Sequence, residues 1–583
     1  MAFFAMLYLL GWLVEWLTMG HWKGAKLYPN LGFELLIDAY ITCALMLIVP
    51  GKWRRWARIS VAVMLYLLAF IDVFCFNKYG STLTPTMLLL LFETNIREAS
   101  EFLGQLFSTD MLVNPASWVA LLGLTHALFS RKGRALLARF DAFLQPAKPL
   151  LGLAIIALLG WSVAESVPNK AAIHKMMGAR SVGEVEHLLT DKAHAVFYST
   201  PLRLAFSLYA NHLAARQITK LRANAGKVRV DSCAYTVPTI VLIIGESYGK
   251  QHSSLYGYAL NNTAPRQLKR AQSGLLVKYD DVVSPWNLTS FVFKNTFSLH
   301  VIGQPGTWSD SPLFPEVFRK AGYHVAFLTN QFLPKAREAV YDFSGGFFLN
   351  DPELSPQMFD VRNSSLHKYD DGLLADYDKL AAQGEFSKAK GNLIIFHLMG
   401  QHVSYKLRYP RHRAAFKAED YAESRPELSP RQRQMVAQYD NACLYNDSIV
   451  DQICERFADK EAIIVYMPDH GEECYEGTRG IVCRNHAAKV DYDLARFEFE
   501  IPFWIYTTKA CAEAHPALFE QIVRAHGRKF MTDALPHMLL YLAGISAPYY
   551  RPEYNLLGDE YRENRPRILK NSVDYDKLKP TAH

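Results

Sequence analysis

The stretch AIIVYMPDHGEE, residues 462–473, runs from an apolar segment straight into Asp469, His470, Glu472 and Glu473. Carboxylates and an imidazole at that spacing make either a polar loop or a metal site. Three other apolar runs end in comparable chemistry. TIVLIIGES ends in Glu246 and Ser247, HVAFLTNQ in Asn330 and Gln331, and NLIIFHLMGQH in His397 and His402. Glu246, Asp469 and His470 offer oxygen and nitrogen donors that suit Zn²⁺ better than Mn²⁺. A catalytic ion keeps one position for the reacting group. The candidate for that position is Thr289, in DDVVSPWNLTSFVFKN. A metal-bound hydroxyl has a lowered pKa and becomes a nucleophile at neutral pH. Taken alone, a threonine in this position is more often a helix cap.

These residues need elements to bring them together. From residue 236 onward, short apolar runs alternate with helical stretches such as SPLFPEVFRKAG and YDNACLYNDSIVDQICERFAD. That alternation predicts a mostly parallel sheet flanked by helices. Open α/β sheets bind ligands beyond the carboxyl ends of their strands. One polar strand ending is unremarkable, whereas four on one sheet edge make a site. His397 lies nearer its apolar run than His402 and reads as structural.

The chain has 583 residues, enough for more than one domain, and half of them are apolar. Most long apolar runs fall in the first 170 positions. Five segments, near 3–19, 31–49, 59–78, 112–130 and 149–166, are apolar enough to span a bilayer. The loop PGKWRRWAR joins the second and third, and SRKGRALLARFDAFLQPAK joins the fourth and fifth. Positive loops stay in the cytoplasm, so the N-terminus is expected inside and everything after about residue 167 outside. The first segment has no basic n-region and no small-residue cleavage site, so it is not read as a signal peptide. Glu15, Glu34, Asp38 and Asp72 interrupt the spans. They are expected near interfaces or facing neighbouring helices, since intramembrane carboxylates are costly. Residues 81–107 suggest an amphipathic helix on the membrane surface. The expected organisation is a transmembrane domain over 1–167, a bridging helical segment over 168–235, an external catalytic domain over 236–560 and a tail over 561–583.

The net charge of +7 owes much to the two basic loops. No zinc-finger spacing or RNA-binding signature accompanies it, so nucleic acid is not an expected partner. Eight cysteines are present. Cys474 and Cys483 bracket a short glycine-containing loop, and an external compartment permits them to pair.

The set IIGES…SLYGY, VVSPWNLTS, FHLMGQHVSYKLRYP and MPDHGEE resembles the membrane-bound phosphoethanolamine transferases of the alkaline phosphatase and sulfatase superfamily. The likeness covers nearly the whole chain. It implies a zinc held by Glu246, Thr289, Asp469 and His470, with Thr289 carrying phosphoethanolamine covalently. It implies that His402 assists at the substrate phosphate or at a second metal. His486, in CRNHAAKV, takes the place of a further family histidine, without the glycine and proline that usually follow it. Asn330 is a candidate phosphate or head-group contact. The implied reaction moves phosphoethanolamine from phosphatidylethanolamine to a lipopolysaccharide or other glycan acceptor, lipid A or a core sugar. The enzyme would be a multi-pass protein of a bacterial inner membrane, with its catalytic domain in the periplasm. Three rivals stand beside this reading. A sulfatase would need a Cys or Ser two residues from Pro and four from Arg, absent around Thr289. A lipoteichoic acid synthase-like glycerophosphotransferase would use phosphatidylglycerol. A non-enzymatic membrane sensor would not need the full Glu-Thr-Asp-His set.

Overall fold

The computed structural model describes residues 2–18, 30–79, 82–83, 114–133, 139, 142–143, 145–179, 185, 189, 199–331, 333, 348–476, 480–484 and 490–580. Nearly all of the expected amphipathic helix over 81–107 lies outside them, as does His486. The chain divides into two compact units, one built mainly from residues 1–214 and the other mainly from residues 215–583.

The first unit is helical: α1 Ala2–Thr18, α2 Leu31–Ile48, α3 Gly51–Tyr79, α4 Ala116–Lys132 and α5 Lys148–Met177. α1 packs on α2, α3 and α4, and α2 packs on α5. Among the described residues, three helical segments are long and apolar enough to cross a membrane: Leu31–Ile48, Gly51–Asn77 and Gln145–Met177. Phe3–Thr18 and Ala116–Phe129 are apolar but shorter. Length and composition thus mark three spans where the sequence suggested five. Leu67, Leu124 and Ile156 are exposed on these helices, as lipid-facing side chains would be. Two of the interrupting carboxylates face neighbouring helices. Glu34 accepts from Asn169 Nδ2 at 2.9 Å and Lys170 Nζ at 2.8 Å. Asp72 accepts from Leu83 N at 2.7 Å, Thr200 Oγ1 at 2.8 Å and Arg203. Pairing of this kind is what a buried charge in an apolar setting requires.

The second unit is built on a seven-stranded sheet. Its strands are β1 Thr239–Gly245, β2 Leu276–Tyr279, β3 Tyr323–Thr329, β4 Val361–Arg362, β5 Gly391–His397, β6 Ala462–Pro468 and, after the β7–β8 ribbon described below, β9 Phe503–Thr507. The spatial order is β2-β9-β6-β1-β5-β3-β4. β9 runs antiparallel to both neighbours, and the other pairings are parallel. β1, β3 and β6 are buried at every position. This is why they read as unbroken apolar runs rather than alternating ones. Ile240, Leu242 and Ile244 pack into the core on one face of the sheet, Val241 and Ile243 into the core on the other. Gly245 pairs with Pro468 in register, and Ile244 with His397. The carboxyl ends of the three central strands are therefore level, which sets Glu246 beside Asp469.

Helices complete the frame: α6 Thr289–Phe297, α7 Phe314–Lys320 and α8 Pro430–Glu455. Next to the site, the ribbon β7 Glu473–Cys474 and β8 Val482–Cys483 pairs antiparallel, with Val482 opposite Cys474 and Cys483 opposite Glu473. Here the expected Cys474–Cys483 bridge is corrected. The register offsets the two cysteines by one position, and successive side chains point to opposite faces of a strand. Both are free thiols.

A buried ion triad ties the strand-end loops to α8. His252 Nδ1 lies 2.7 Å from Asp440 Oδ1, and its Nε2 lies 2.5 Å from Glu476 Oε1. Tyr258 donates to the other Asp440 oxygen at 2.7 Å, and Tyr421 does so at 2.5 Å. Burial alone would lower the His252 pKa, but the charges of Glu476 and Asp440 outweigh it and raise it to about 10. His252→Ala leaves the buried Asp440 and the part-buried Glu476 without their cation. The expected loss is about 3–5 kcal/mol of stability, read by denaturant unfolding. Because the folded pKa lies above the unfolded one, this contribution is complete below about pH 6.5 and is lost as pH rises toward 10. In the wild-type protein a decline over that window is expected, and His252→Ala should flatten it.

Candidate metal centre

Glu246, Asp469 and His470 meet at the level ends of β1 and β6, where their donor atoms lie within 4.8 Å of one another. All three are buried. Thr289 joins them from the first position of α6. Its hydroxyl donates to Glu246 Oε2 at 3.3 Å and stands 3.5 Å from His470 Nε2. His470 Nε2 lies 3.0 Å from Asp469 Oδ2 and 3.5 Å from Glu246 Oε1. Four donors around an ion with bonds of about 2.0–2.1 Å stand about 3.3–3.4 Å apart in a tetrahedron. The Thr289–Glu246, Thr289–His470 and His470–Glu246 spacings lie close to that edge, and His470–Asp469 is shorter.

The proton inventory points the same way. His470 Nδ1 donates to Gly471 O at 2.8 Å, so Nε2 presents a lone pair. Burial, then the Arg484 charge, lowers the imidazole pKa to about 3 and keeps the ring neutral. Asp469 Oδ1 accepts from Ser247 N at 3.0 Å and His470 N at 2.8 Å. Asp469 Oδ2 is buried and, among the described residues, accepts no hydrogen bond. Burial raises the carboxyl's pKa. A lone pair and a buried carboxylate oxygen at 3.0 Å repel each other unless positive charge lies near them, and Arg484, which donates to His470 Nε2, supplies part of that charge. The residues present therefore fit a metal ion. Thr289 is not acting as a cap, because its hydroxyl turns to Glu246 rather than to a backbone amide.

Local sequence explains the convergence. Gly471 allows a close backbone approach, because a Cβ there would meet Phe497 O at 2.2 Å. Gly471 N donates to Glu498 O at 2.8 Å, and Asn287 Nδ2 donates to Glu498 Oε2 at 2.6 Å. Glu498 thereby locks the loop bearing Thr289 to the loop bearing His470. Gly400, at φ 46°, lets the loop after β5 pass within 2.9 Å of the Glu246 backbone for a Cβ-sized atom.

The remaining sequence candidates are placed as follows. His402 is half-buried on that loop, with Nδ1 donating to Val403 O at 2.7 Å. Burial, opposed by Glu246 and reinforced by Arg484 and Arg408, lowers its pKa to about 4. His397 is fully buried with Nδ1 3.0 Å from Thr329 Oγ1, and burial lowers its pKa to about 3. It sits in the core beneath the site. Asn330 is not brought into the cluster. Its Nδ2 donates to Asp370 Oδ1 at 2.9 Å, and its Oδ1 accepts from His367 N at 2.7 Å. Its neighbour Gln331 reaches the site instead, donating to Glu246 Oε2 at 3.0 Å. Sequence reasoning also missed Arg484, which is buried, donates from Nη1 to His470 Nε2 and stands 3.5 Å from Glu472 Oε2. Glu472 also accepts from Tyr405 at 2.6 Å, and burial pushes its pKa up to about 8. The only signal for Arg484 was its place two residues before His486.

The sulfatase family model matches residues 238–539. Phosphoethanolamine transferase EptC of Escherichia coli is 26% identical over 561 residues, covering 93% of this chain and 90% of the relative. The crystal structure of the periplasmic domain of E. coli EptC in complex with Zn superposes at TM-score 0.50 with 26% identity, over 60% of this chain and 95% of that one. Lipooligosaccharide phosphoethanolamine transferase A of Neisseria meningitidis, an integral membrane protein, shares the fold over 90% of both chains at TM-score 0.60 and 17% identity. The matched residues enclose Glu246, Thr289, Asp469 and His470, so the four-donor cluster lies inside the family domain, and the chain belongs to the sulfatase family.

Proposed function

We propose that this protein is a zinc-dependent phosphoethanolamine transferase that moves the group from phosphatidylethanolamine to a lipopolysaccharide acceptor, lipid A or a core sugar, through a covalent Thr289 intermediate. The observation that carries the reading is the Thr289 hydroxyl, set at a helix start within 3.5 Å of both Glu246 and His470. Similarity to a named phosphoethanolamine transferase along nearly the whole chain supports the group transferred. The zinc complex of the EptC domain supports the metal. One zinc would be held by Glu246, Thr289, Asp469 and His470, with His402 near the substrate phosphate or a second ion.

When bound, zinc supplies a lowered hydroxyl pKa and positive charge for the phosphoryl oxygens. The chain's own residues do the rest. Thr289 Oγ attacks phosphorus in line, the bond to the diacylglycerol oxygen breaks, and diacylglycerol leaves with the proton that Thr289 gave up. The acceptor hydroxyl then attacks the same phosphorus, the bond to Thr289 Oγ breaks, and the acceptor's proton returns to Thr289. Helix α6 presents its N-terminus at Thr289, where partial positive charge favours an oxyanion. Arg484 places a buried guanidinium beside the cluster for the phosphate charge. A lipid donor suits an enzyme anchored by five membrane spans in a bacterial inner membrane, N-terminus inside, with its catalytic domain in the periplasm.

Mass spectrometry of envelope lipids and glycans, with and without the gene, tests this reading. A phosphoethanolamine addition that depends on the gene is expected. A glycerophosphate addition, or no change, would contradict it.

A further inference from the structure

The Glu246 carboxylate is held by three donors, two of them from residues with no part in the chemistry above. Ser247 Oγ donates to Oε1 at 2.6 Å, and Thr289 Oγ1 donates to Oε2 at 3.3 Å. The third donor is the side-chain amide of Gln331, which follows β3 and is buried. Its nitrogen donates to Glu246 Oε2 at 3.0 Å and to Leu398 O at 2.7 Å. Both hydrogens of the amide are thereby committed, one to the end of β1 and one to the end of β5. The backbone is fixed as well, since Gln331 N donates to Thr329 Oγ1 at 3.2 Å, and that hydroxyl meets His397 Nδ1 at 3.0 Å.

The choice of group has a physical consequence. An amide donor orients a carboxylate without cancelling its charge, whereas a lysine or arginine at the same place would compete with a cation for it. A buried amide that moved away would leave the Leu398 carbonyl without this donor, so the orientation is rigid. Carboxylate ligands held by such outer partners bind metal more tightly, because the site is ordered before the ion arrives.

We infer that Gln331 is a positioning residue for the metal centre: it fixes the Glu246 carboxylate through Oε2 and so sets the affinity and geometry of the ion. This inference rests on the proposed zinc site. A purely structural role would cost stability but leave zinc affinity unchanged, and that difference is measurable.

The test uses the full chain in detergent, with zinc affinity measured by chelator competition and geometry by the visible absorption of the cobalt(II)-loaded protein. Gln331→Met keeps length and burial but has no donor. Zinc binding about 10–100-fold weaker than wild type is expected, with an altered cobalt spectrum. Gln331→Asn is one methylene shorter and reaches only one of the two acceptors, so a smaller loss in the same direction is expected. It also serves if Gln331→Met does not fold. Wild-type zinc affinity and an unchanged cobalt spectrum in the folded variants would overturn the inference and leave the zinc site standing. A wild-type protein that holds no zinc would overturn both.

Discussion

Replacing Thr289 by alanine is expected to lower phosphoethanolamine transfer by at least about 10³-fold while the protein still folds. In the proposed mechanism this hydroxyl both meets the ion and attacks phosphorus. Its removal takes away one hydrogen bond, to Glu246 Oε2 at 3.3 Å, for a stability change of about 1 kcal/mol. Glu246, Asp469 and His470 would remain as ligands, so zinc is expected to be retained with weaker affinity. Thr289→Ser keeps an oxygen on the same carbon and is expected to keep part of the activity. Transfer by Thr289→Ala at the wild-type rate, followed with labelled phosphatidylethanolamine, would reject covalent catalysis through this residue.

The second large effect concerns Asp469→Asn. The substitution keeps an oxygen for the amides of Ser247 and His470 but replaces the buried oxygen that accepts no hydrogen bond among the described residues. An anionic ligand is lost, and zinc affinity is expected to fall by about 100-fold or more, with transfer falling alongside it. The stability signs are opposite in the two metal states. With zinc present the wild-type protein should melt higher, because an ion that binds only the folded state adds about 2.7 kcal/mol at 100 times its dissociation constant. With zinc stripped by a chelator, Asp469→Asn should be the more stable form, because it no longer buries that charge against Glu246. Thermal melts of both proteins with and without chelator read all four values. A wild-type melt that ignores the chelator would remove the metal from the account.

The legible parts of this site were those that lie close in sequence or end a strongly patterned strand. Glu246 and Asp469 each follow seven buried residues, so the runs announced both the strands and their polar ends. Thr289 stands out through its own motif, and only its side-chain direction argues against a cap. Asn330 and Gln331 differ by one position at a strand end, which is enough to turn one side chain toward Asp370 and the other toward Glu246. No periodicity in the sequence says which. Arg484 reaches His470 across a loop, and the His252 partners are 188 and 224 residues away along the chain. Such contacts belong to the fold rather than to any local pattern. The ribbon register that separates Cys474 from Cys483 is likewise a matter of pairing, and counting the residues between them could not reveal it.

The covalent intermediate is the claim on which the rest depends. The most direct measurement is intact-protein and peptide mass spectrometry of the full chain, incubated in detergent with zinc and phosphatidylethanolamine but no acceptor. The account predicts one phosphoethanolamine on the peptide containing Thr289, absent from Thr289→Ala and discharged when acceptor is added. Release of diacylglycerol with Thr289 unmodified, or an adduct on another residue, would contradict it.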